Sequence, residues 1–483
     1  MELTPYTSPW WLDRLGKELD EREAVMRVLQ AYYDGQQPLA MASDKFREAF
    51  GRYFIHWSDN FCKLVVQSLE ERLTVQGFRF GDDTSNRKAW RIWQANDLDA
   101  QSQKAHREAF IKGDVAVIVA PPLRGDSMPI IRVQKPEEVV VAYGEDPLVR
   151  AVAMKRWQTP DKRWLATLYY PDRIEKYRAH MDTSQPIVLT SPNWEPRSVP
   201  GEDWPLMHDL GVVPVVPIVN DPDLDNRGSS EIAAIRPLQD VVNKLFVDLI
   251  VASEYASFRQ RWATGMEIPN DPETGHPVEP FKPSVERIWS TAVTDAKFGD
   301  FEQTDVTGIL KAIDTTIQHI ASETRTPAHY LLGSAGVFPS GESLRAVETG
   351  LVAKARRRMR DFGEAWEEIE RLGFRAIGDI ARAEKTDAET IWKDPEYRTE
   401  AEHVDALVKL ASINVPHEQL WSDAGYTPQQ IEQFSAYLDA RKPSGPGIGI
   451  AAPTLEPPTE EGTPAAVPGA PVQVPPQPQR KAA

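Results

Sequence analysis

The feature that most constrains this chain is a pair of amphipathic helical patterns separated by a punctuated insert. Pro237 is unwelcome deep in a helix, because it lacks an N–H and clashes with the preceding turn, yet it suits a first turn. The spacing therefore predicts a helix that starts there and carries Leu238, Val241, Val242, Leu245, Phe246, Leu249 and Ile250 toward Arg261. At 1.5 Å per residue this is a rod of roughly 37 Å. Ser229 or Ser230 can cap a first turn just ahead of it, with Glu231 near the positive end of the helix dipole. From Trp262 to Asp305 the chain is broken by Pro and Gly, with a β-prone piece at Arg287, Ile288 and Trp289. Ile309, Ile313, Ile317 and Ile320 then share one face of a second helix that ends before Pro327. A glycine-bearing loop follows, and a longer helix opens at Ser340-Gly341-Glu342 with the stripe Leu344, Val347, Leu351, Met359, Phe362, Trp366 and Ile369. Two amphipathic helices with a small insert between them cannot bury both apolar faces alone. Neighbouring copies can complete such a core.

The preceding half reads as α+β. Helical spacing appears in Trp11, Leu15 and Leu19, continues through Val25, Val28, Leu29 and Tyr32, and stops at Gly35. Further helices are expected from about Asp44 to Leu73 and from about Asn86 to Ile111. Short β-prone runs follow at 115–119, 130–133, 139–141, 149–154, 165–170 and 174–177, separated by turn residues. Strands this close, with no helices between them, imply an antiparallel meander. A further helical stretch is expected from about Glu396 to Asp439. From Arg441 onward the composition is Pro, Ala, Gly, Gln and Glu, which cannot bury enough surface to offset ordering and is expected to be disordered.

The chemistry of the sequence is sparse. There is no GxxxxGK[ST] loop, GxSxG elbow, HExxH pair or GxGxxG fingerprint. The nine histidines are scattered; His319 and His329 flank a helix end and read as packing or surface residues. Asp221, Asp223 and Asp225 alternate, but an EF-hand would need Gly at Asn226 and Glu at Ile232. They read as a polar turn before a helix, with a bound cation as the alternative. Lys354, Arg356, Arg357, Arg358 and Arg360 form the one concentrated basic run, which on a helix spreads around most of the circumference. It is either a solvated or intersubunit face paired with acids, or a set of contacts to DNA phosphates. The single cysteine, Cys62, lies in an apolar pattern and reads as a core residue, in keeping with a reducing compartment. The most apolar run, 210–219, is interrupted by Pro214 and Pro217 and is too short to cross a bilayer, and the N-terminus has no signal-peptide pattern. A net charge of −17 argues against a tight, sequence-specific nucleic-acid binder, though not against a channel that must let DNA slide.

Several stretches, in their order and separation, resemble the portal proteins of tailed phages with long non-contractile tails, the head-to-tail connector family. They are Tyr32-Tyr33-Asp34-Gly35; 60–78, ending Glu71-Arg72-Leu73-Thr74-Val75-Gln76-Gly77-Phe78; and Asn220-Asp221-Pro222 leading to Gly228-Ser229-Ser230-Glu231. Pro237-Leu238-Gln239-Asp240-Val241-Val242-Asn243-Lys244 and Ser340-Gly341-Glu342-Ser343-Leu344 complete the set. The resemblance implies a wing at 1–228, stem helices at 229–261 and 306–326, a clip at 262–305 and a tunnel loop at 327–340. It further implies a long helix at 341–382 returning to the wing and a crown at 383–440, with 441–483 as a tail outside the family pattern. Gly333, Ser334, Ala335, Gly336, Val337 and Phe338 would then face DNA. Leu238, Val241, Val242, Leu245, Leu249, Ile309, Ile313 and Ile317 would pack the stem, and Arg287, Ile288 and Trp289 would belong to the clip. The implied role is a ring, twelve-fold in the family, at one capsid vertex, through which double-stranded DNA is packaged and ejected. Its implied partners are the terminase large subunit, a head–tail adaptor, and the major capsid and scaffolding proteins, with assembly in the host cytoplasm. No membrane, cofactor, metal or catalytic residue is implied. The competing readings are a carboxylate-dependent nuclease and a minor head protein without a channel.

Overall fold

A computed structural model describes residues 3–38, 59–81, 86–123, 126–179, 194–257, 261–265, 295–300, 305–332, 341–396 and 400–441, with isolated positions at 48, 272 and 275. The chain divides into two units, 1–435 and 436–483. Of the second, only 436–441 are described.

Helix α1 (Ser8–Asp34) ends as expected at Gly35, whose φ of 69° takes the left-handed turn that a Cβ would disfavour. Its buried stripe is Trp11, Leu12, Leu15 and Leu19, then Met26, Leu29, Tyr32 and Tyr33. Val25 and Val28 lie on the opposite face and are exposed. Of the helix expected from about Asp44, the described part is α2 (Phe61–Glu70), capped by the Asn60 side chain, which accepts from the Lys63 N–H at 2.9 Å. Strand β1 (Val75–Phe80) follows. The helix expected from Asn86 to Ile111 is two helices, α3 (Arg87–Ala95) and α4 (Leu98–Lys112). Asn96 causes the break: its buried amide donates to the Ile92 and Pro129 carbonyls and accepts from the Ile131 N–H, while Asp97 turns left-handed at φ 56°.

The strands are β2 (Asp114–Ala120), β3 (Ile130–Val133), β4 (Val139–Tyr143), β5 (Arg150–Gln158), β6 (Trp164–Tyr169), β7 (Arg173–Ala179), β8 (Trp194–Pro196), β9 (Leu206–Met207) and β10 (Val215–Val219). They form two sheets where one meander is expected. Strands β4 to β8 run in sequence order, with β9 added on β7, whereas β2 is the centre of a separate antiparallel sheet ordered β10-β2-β3. The apolar run at 210–219 supplies β10; its Pro217 stands opposite Ala116 on an edge strand, where a missing N–H is tolerated.

Next come α5 (Arg236–Ser257), the two-stranded antiparallel ribbon β11 (Arg261–Thr264) and β12 (Lys297–Asp300), α6 (Thr307–Thr324), the short α7 (Ala328–Leu332) and α8 (Gly341–Ala376). After α9 (Ile380–Ala383), β13 (Ala388–Trp392) pairs antiparallel with β1, some three hundred residues earlier, placing Thr390 opposite Phe78. The helical stretch expected from about Glu396 is built of α10 (Glu400–Ser412), α11 (His417–Asp423) and α12 (Pro428–Arg441). Left-handed Asn414 and Gly425, each followed closely by a proline, interrupt it.

The main core is built by α2, α3, α4, β1 to β3, β10, α6 and α8 from Leu351 onward. Its densest part is aromatic. Trp93 and Trp366 meet edge to face at 4.9 Å, and the Trp366 indole donates to His106 Nε2 at 2.9 Å. A second core seats the first half of α1 on β4, β5 and β6 through Val140, Val152, Met154, Ala166 and Leu168. Helix α1 thus spans both. Among the described residues, no helix is long and apolar enough to cross a membrane.

Candidate functional site

Helices α5 and α6 pack along each other as the limbs of a hairpin, with the β11–β12 ribbon joining their far ends. Val242 on α5 and Ile313, Ile317 and Ile320 on α6 are buried. Leu238, Leu245, Leu249 and Ile309 pack on the same core at partial burial, and Val241 is half-buried. Polar contacts fix the root of the hairpin. Buried Gln239 accepts from the Phe61 N–H at 3.0 Å and donates to Asn243, and Tyr32 donates to Asp240 at 2.9 Å. Toward the tip the cover thins: Ile250 and Leu310 are 38% and 46% exposed, and Phe298 on the ribbon is 39% exposed. Trp262 lies across Gly299, where a Cβ would stand 2.5 Å from the indole, so the flat ribbon face needs glycine there. Arg287, Ile288 and Trp289, and Gly333, Ser334, Ala335, Gly336, Val337 and Phe338, lie outside the described residues.

Where the hairpin leaves the body, a charged cluster binds it to α8. Glu231 is not spent on a helix dipole. Residues 231–235 form turns, Ser230 Oγ accepts from the Ile232 N–H, and the Glu231 carboxylate turns inward. There it accepts from Arg358 Nη2 at 2.9 Å and pairs with Lys354 Nζ at 2.5 Å. Arg358 also donates to Asp221 at 2.9 Å, and Arg357 reaches the same Asp221 oxygen. The side chains of Glu231 and Arg358 are only 7% and 5% exposed, so each charge depends on the other for the solvation that burial removes. Burial alone would raise the Glu231 carboxyl, but Lys354 and Arg358 outweigh it and hold the group below its ordinary range. Asp221 is held low in the same way. The cluster walls a cleft of about 390 Å³ whose floor is small, with Ser229, Ala233, Ala234 and Ala353.

This geometry places the residues of chemical interest. Most of the basic run is paired with acids, Arg356 included, which stands 3.7 Å from Asp394 and Glu396. Asp223 Oδ1 accepts from the Asp225 and Arg227 N–H groups, closing the polar turn, and Asp221 is engaged by arginines. Among the described residues no three His, Cys, Asp or Glu side chains are grouped as a metal site. His319 is exposed and His329 stacks edge-on with Tyr330. The pairing of Glu231 with Arg358 was invisible in the sequence, since the partners are over a hundred residues apart and each had a local explanation. His106 carries no signal in the sequence either; burial pushes its imidazole down to about 3, so it stays neutral as acceptor for Trp366.

Residues 20–437 match the family of phage portal proteins of the SPP1 Gp6-like type. The portal protein of Mycobacterium phage L5 is 30% identical over 408 residues, covering 80% of this chain and 79% of that protein. The portal protein of Mycobacterium phage D29 is 30% identical over 409 residues, covering 80% of each. A match of this extent takes in both sheets, the hairpin and the charged cluster at its root, and on it the chain belongs to the SPP1 Gp6-like family of phage portal proteins.

Proposed function

We propose that this chain is the repeating subunit of a closed ring at one vertex of a phage capsid, through which double-stranded DNA is packaged and later ejected. One observation carries the reading beyond family membership. The α5–α6 hairpin is fixed at its root by buried polar contacts, yet Ile250 and Leu310 stay exposed toward its tip, as in a limb completed by neighbouring copies. In this reading 229–261 and 306–326 are the stem and 262–305 is the clip, which docks first the terminase large subunit and then the head–tail adaptor. Residues 327–340 form the tunnel loop, with 333–338 facing DNA. The wing takes 1–228 together with the returning helix at 341–382. The crown follows at 383–440, toward the capsid interior, and 441–483 form the tail. The pairing of β13 with β1 favours counting 388–392 with the wing, so that the crown begins after it.

The role is that of a conduit without catalysis of its own, the ATP-driven work belonging to the terminase. Major capsid and scaffolding proteins are the other partners, and assembly takes place in the host cytoplasm. The net charge of −17 suits passage without sticking, because an acidic wall weakens contacts to phosphate. The nuclease reading loses its footing in the arginines that hold Asp221. Electron microscopy of the purified protein, with scaffold and shell proteins supplied if needed, tests the proposal. Rings of about twelve copies around a duplex-wide hole are expected. A uniform monomer under those conditions overturns it, as does magnesium-dependent DNA cleavage abolished by Asn at Asp221, Asp223 and Asp225.

A further inference from the structure

One side chain touches the described residues on both sides of 333–340 while lying outside that stretch. Arg72 sits in the turn after α2, its side chain 11% exposed. Its guanidinium donates to the Tyr330 hydroxyl on α7 at 2.9 Å, to the Glu348 carboxylate on α8 at 3.2 Å and to the Pro395 carbonyl at 2.5 Å. The Tyr330 hydroxyl in turn donates to the other Glu348 oxygen at 2.8 Å. The three groups close a triangle: the guanidinium donates twice, the phenol accepts and donates, and the carboxylate accepts twice. A planar fork with fixed donor directions meets these acceptors together, which a single ammonium does not.

Few residues of the segments joined are buried. Helix α7 is five residues long, too short to persist alone, and only Leu331 of it is buried. On α8 no residue from Arg345 to Gly350 is buried, and Val347 is 51% exposed. Packing begins at Leu351.

We propose that Arg72 is a positioning residue that fixes α7 against the first turns of α8, and so sets the spacing of the described elements that flank 333–340. Combined with the tunnel-loop reading, on which this second step rests, Arg72 acts on DNA passage without touching DNA.

Hydrogen–deuterium exchange on the purified full-length protein tests the first step. Arg72→Ala is expected to raise exchange at 328–332 and 345–350 about tenfold, with β5, β6 and β7 unchanged. The Tyr330→Phe/Glu348→Gln pair should reproduce this with the cation still present, and Arg72→Lys should restore little of the protection. Unchanged exchange at both ends overturns the proposal. So does a rise spread evenly over the chain, which makes Arg72 a general stabiliser. The second step is read in assembled particles, where Arg72→Ala should lower packaged DNA per particle at wild-type ring content. DNA content that stays at wild type despite faster local exchange overturns it. Failure of the ring reading itself shows separately, as absence of wild-type rings, and leaves the exchange result standing.

Discussion

Replacing Arg358 by methionine measures what the cluster at the hairpin root contributes. Methionine keeps an unbranched stem of similar reach but removes the charge. Asp221, at 35% side-chain exposure, can turn to water and keeps Arg357; Glu231, at 7%, cannot, and is left with Lys354 as its one cation beside the Asn220 amide, which donates at 3.2 Å. Removing one member of a buried ion pair costs 3–5 kcal/mol in general, and because Lys354 remains, the expected loss is at the low end, about 3 kcal/mol. At about 2 °C per kcal/mol for a large domain, Tm should fall by about 6 °C. Thermal unfolding followed by circular dichroism at matched protein concentration reads this directly. Two signatures separate an ion pair from simple loss of packing. Adding Glu231→Gln to Arg358→Met should cost less than the sum of the single changes by at least about 1 kcal/mol. The pH dependence has a definite sign. The folded-state Glu231 carboxyl lies below its unfolded value, so its contribution is present above the ordinary carboxylate range and is lost as pH falls through the depressed value. The gap between wild type and variant should therefore narrow below about pH 4. A Tm change under about 1 °C, or strict additivity in the double variant, refutes the reasoning.

Three further outcomes rest on buried groups and close contacts. Glu370 is fully buried with neither carboxylate oxygen hydrogen-bonded, and burial pushes its carboxyl far up. Its stability penalty is thus absent below the ordinary carboxylate range and grows as pH rises, so Glu370→Leu should stabilise the protein by about 1–3 kcal/mol near neutral pH and flatten its alkaline decline, as followed by urea unfolding. A Cβ on Gly228 would stand 2.6 Å from the Gly113 carbonyl carbon, backbone against backbone, so Gly228→Ala should cost more than about 2 kcal/mol and show as lost soluble yield and lowered Tm. Cys62 is fully buried, and burial pushes its thiol up to about 12, so a maleimide should leave it unmodified at pH 8 until denaturant is added.

How much was legible in the sequence depended on how local the cause was. The isoleucine stripe of α6, the Pro237 start of α5 and the Gly35 stop of α1 are each fixed within a turn or two, and the structure has them where the spacing puts them. The β-branched runs gave six strands but not their partition into two sheets. That partition turns on β10, whose prolines mask it as a strand and whose pairing with β2 is a tertiary choice. The break at Asn96 follows from a bond to Ile131 that no helical pattern contains. The breaks within 400–441 are readable from Asn414, Pro416, Gly425 and Pro428. At the candidate site, the basic run was legible as a set of charges unable to face one ligand. Its partners were not, because Arg358 meets Glu231 only after distant segments have come together, as Arg72 does Glu348.

The pairing of β1 with β13 bears on how the protein is made. A ribosome adding 5–20 residues per second needs about 15–60 s to travel from the first strand to its partner. During that interval Phe78 and Phe80 lack the strand that covers their edge, and Trp93 waits for Trp366. The main core therefore closes only when synthesis is nearly finished. A polysome bearing many unfinished copies carries hairpins whose roots are still unlocked, since the arginine and lysine of that lock, on α8, follow the hairpin in the chain. On the ring reading proposed above, late closure of this kind would leave self-association to chains already released, so that assembly would begin from finished subunits.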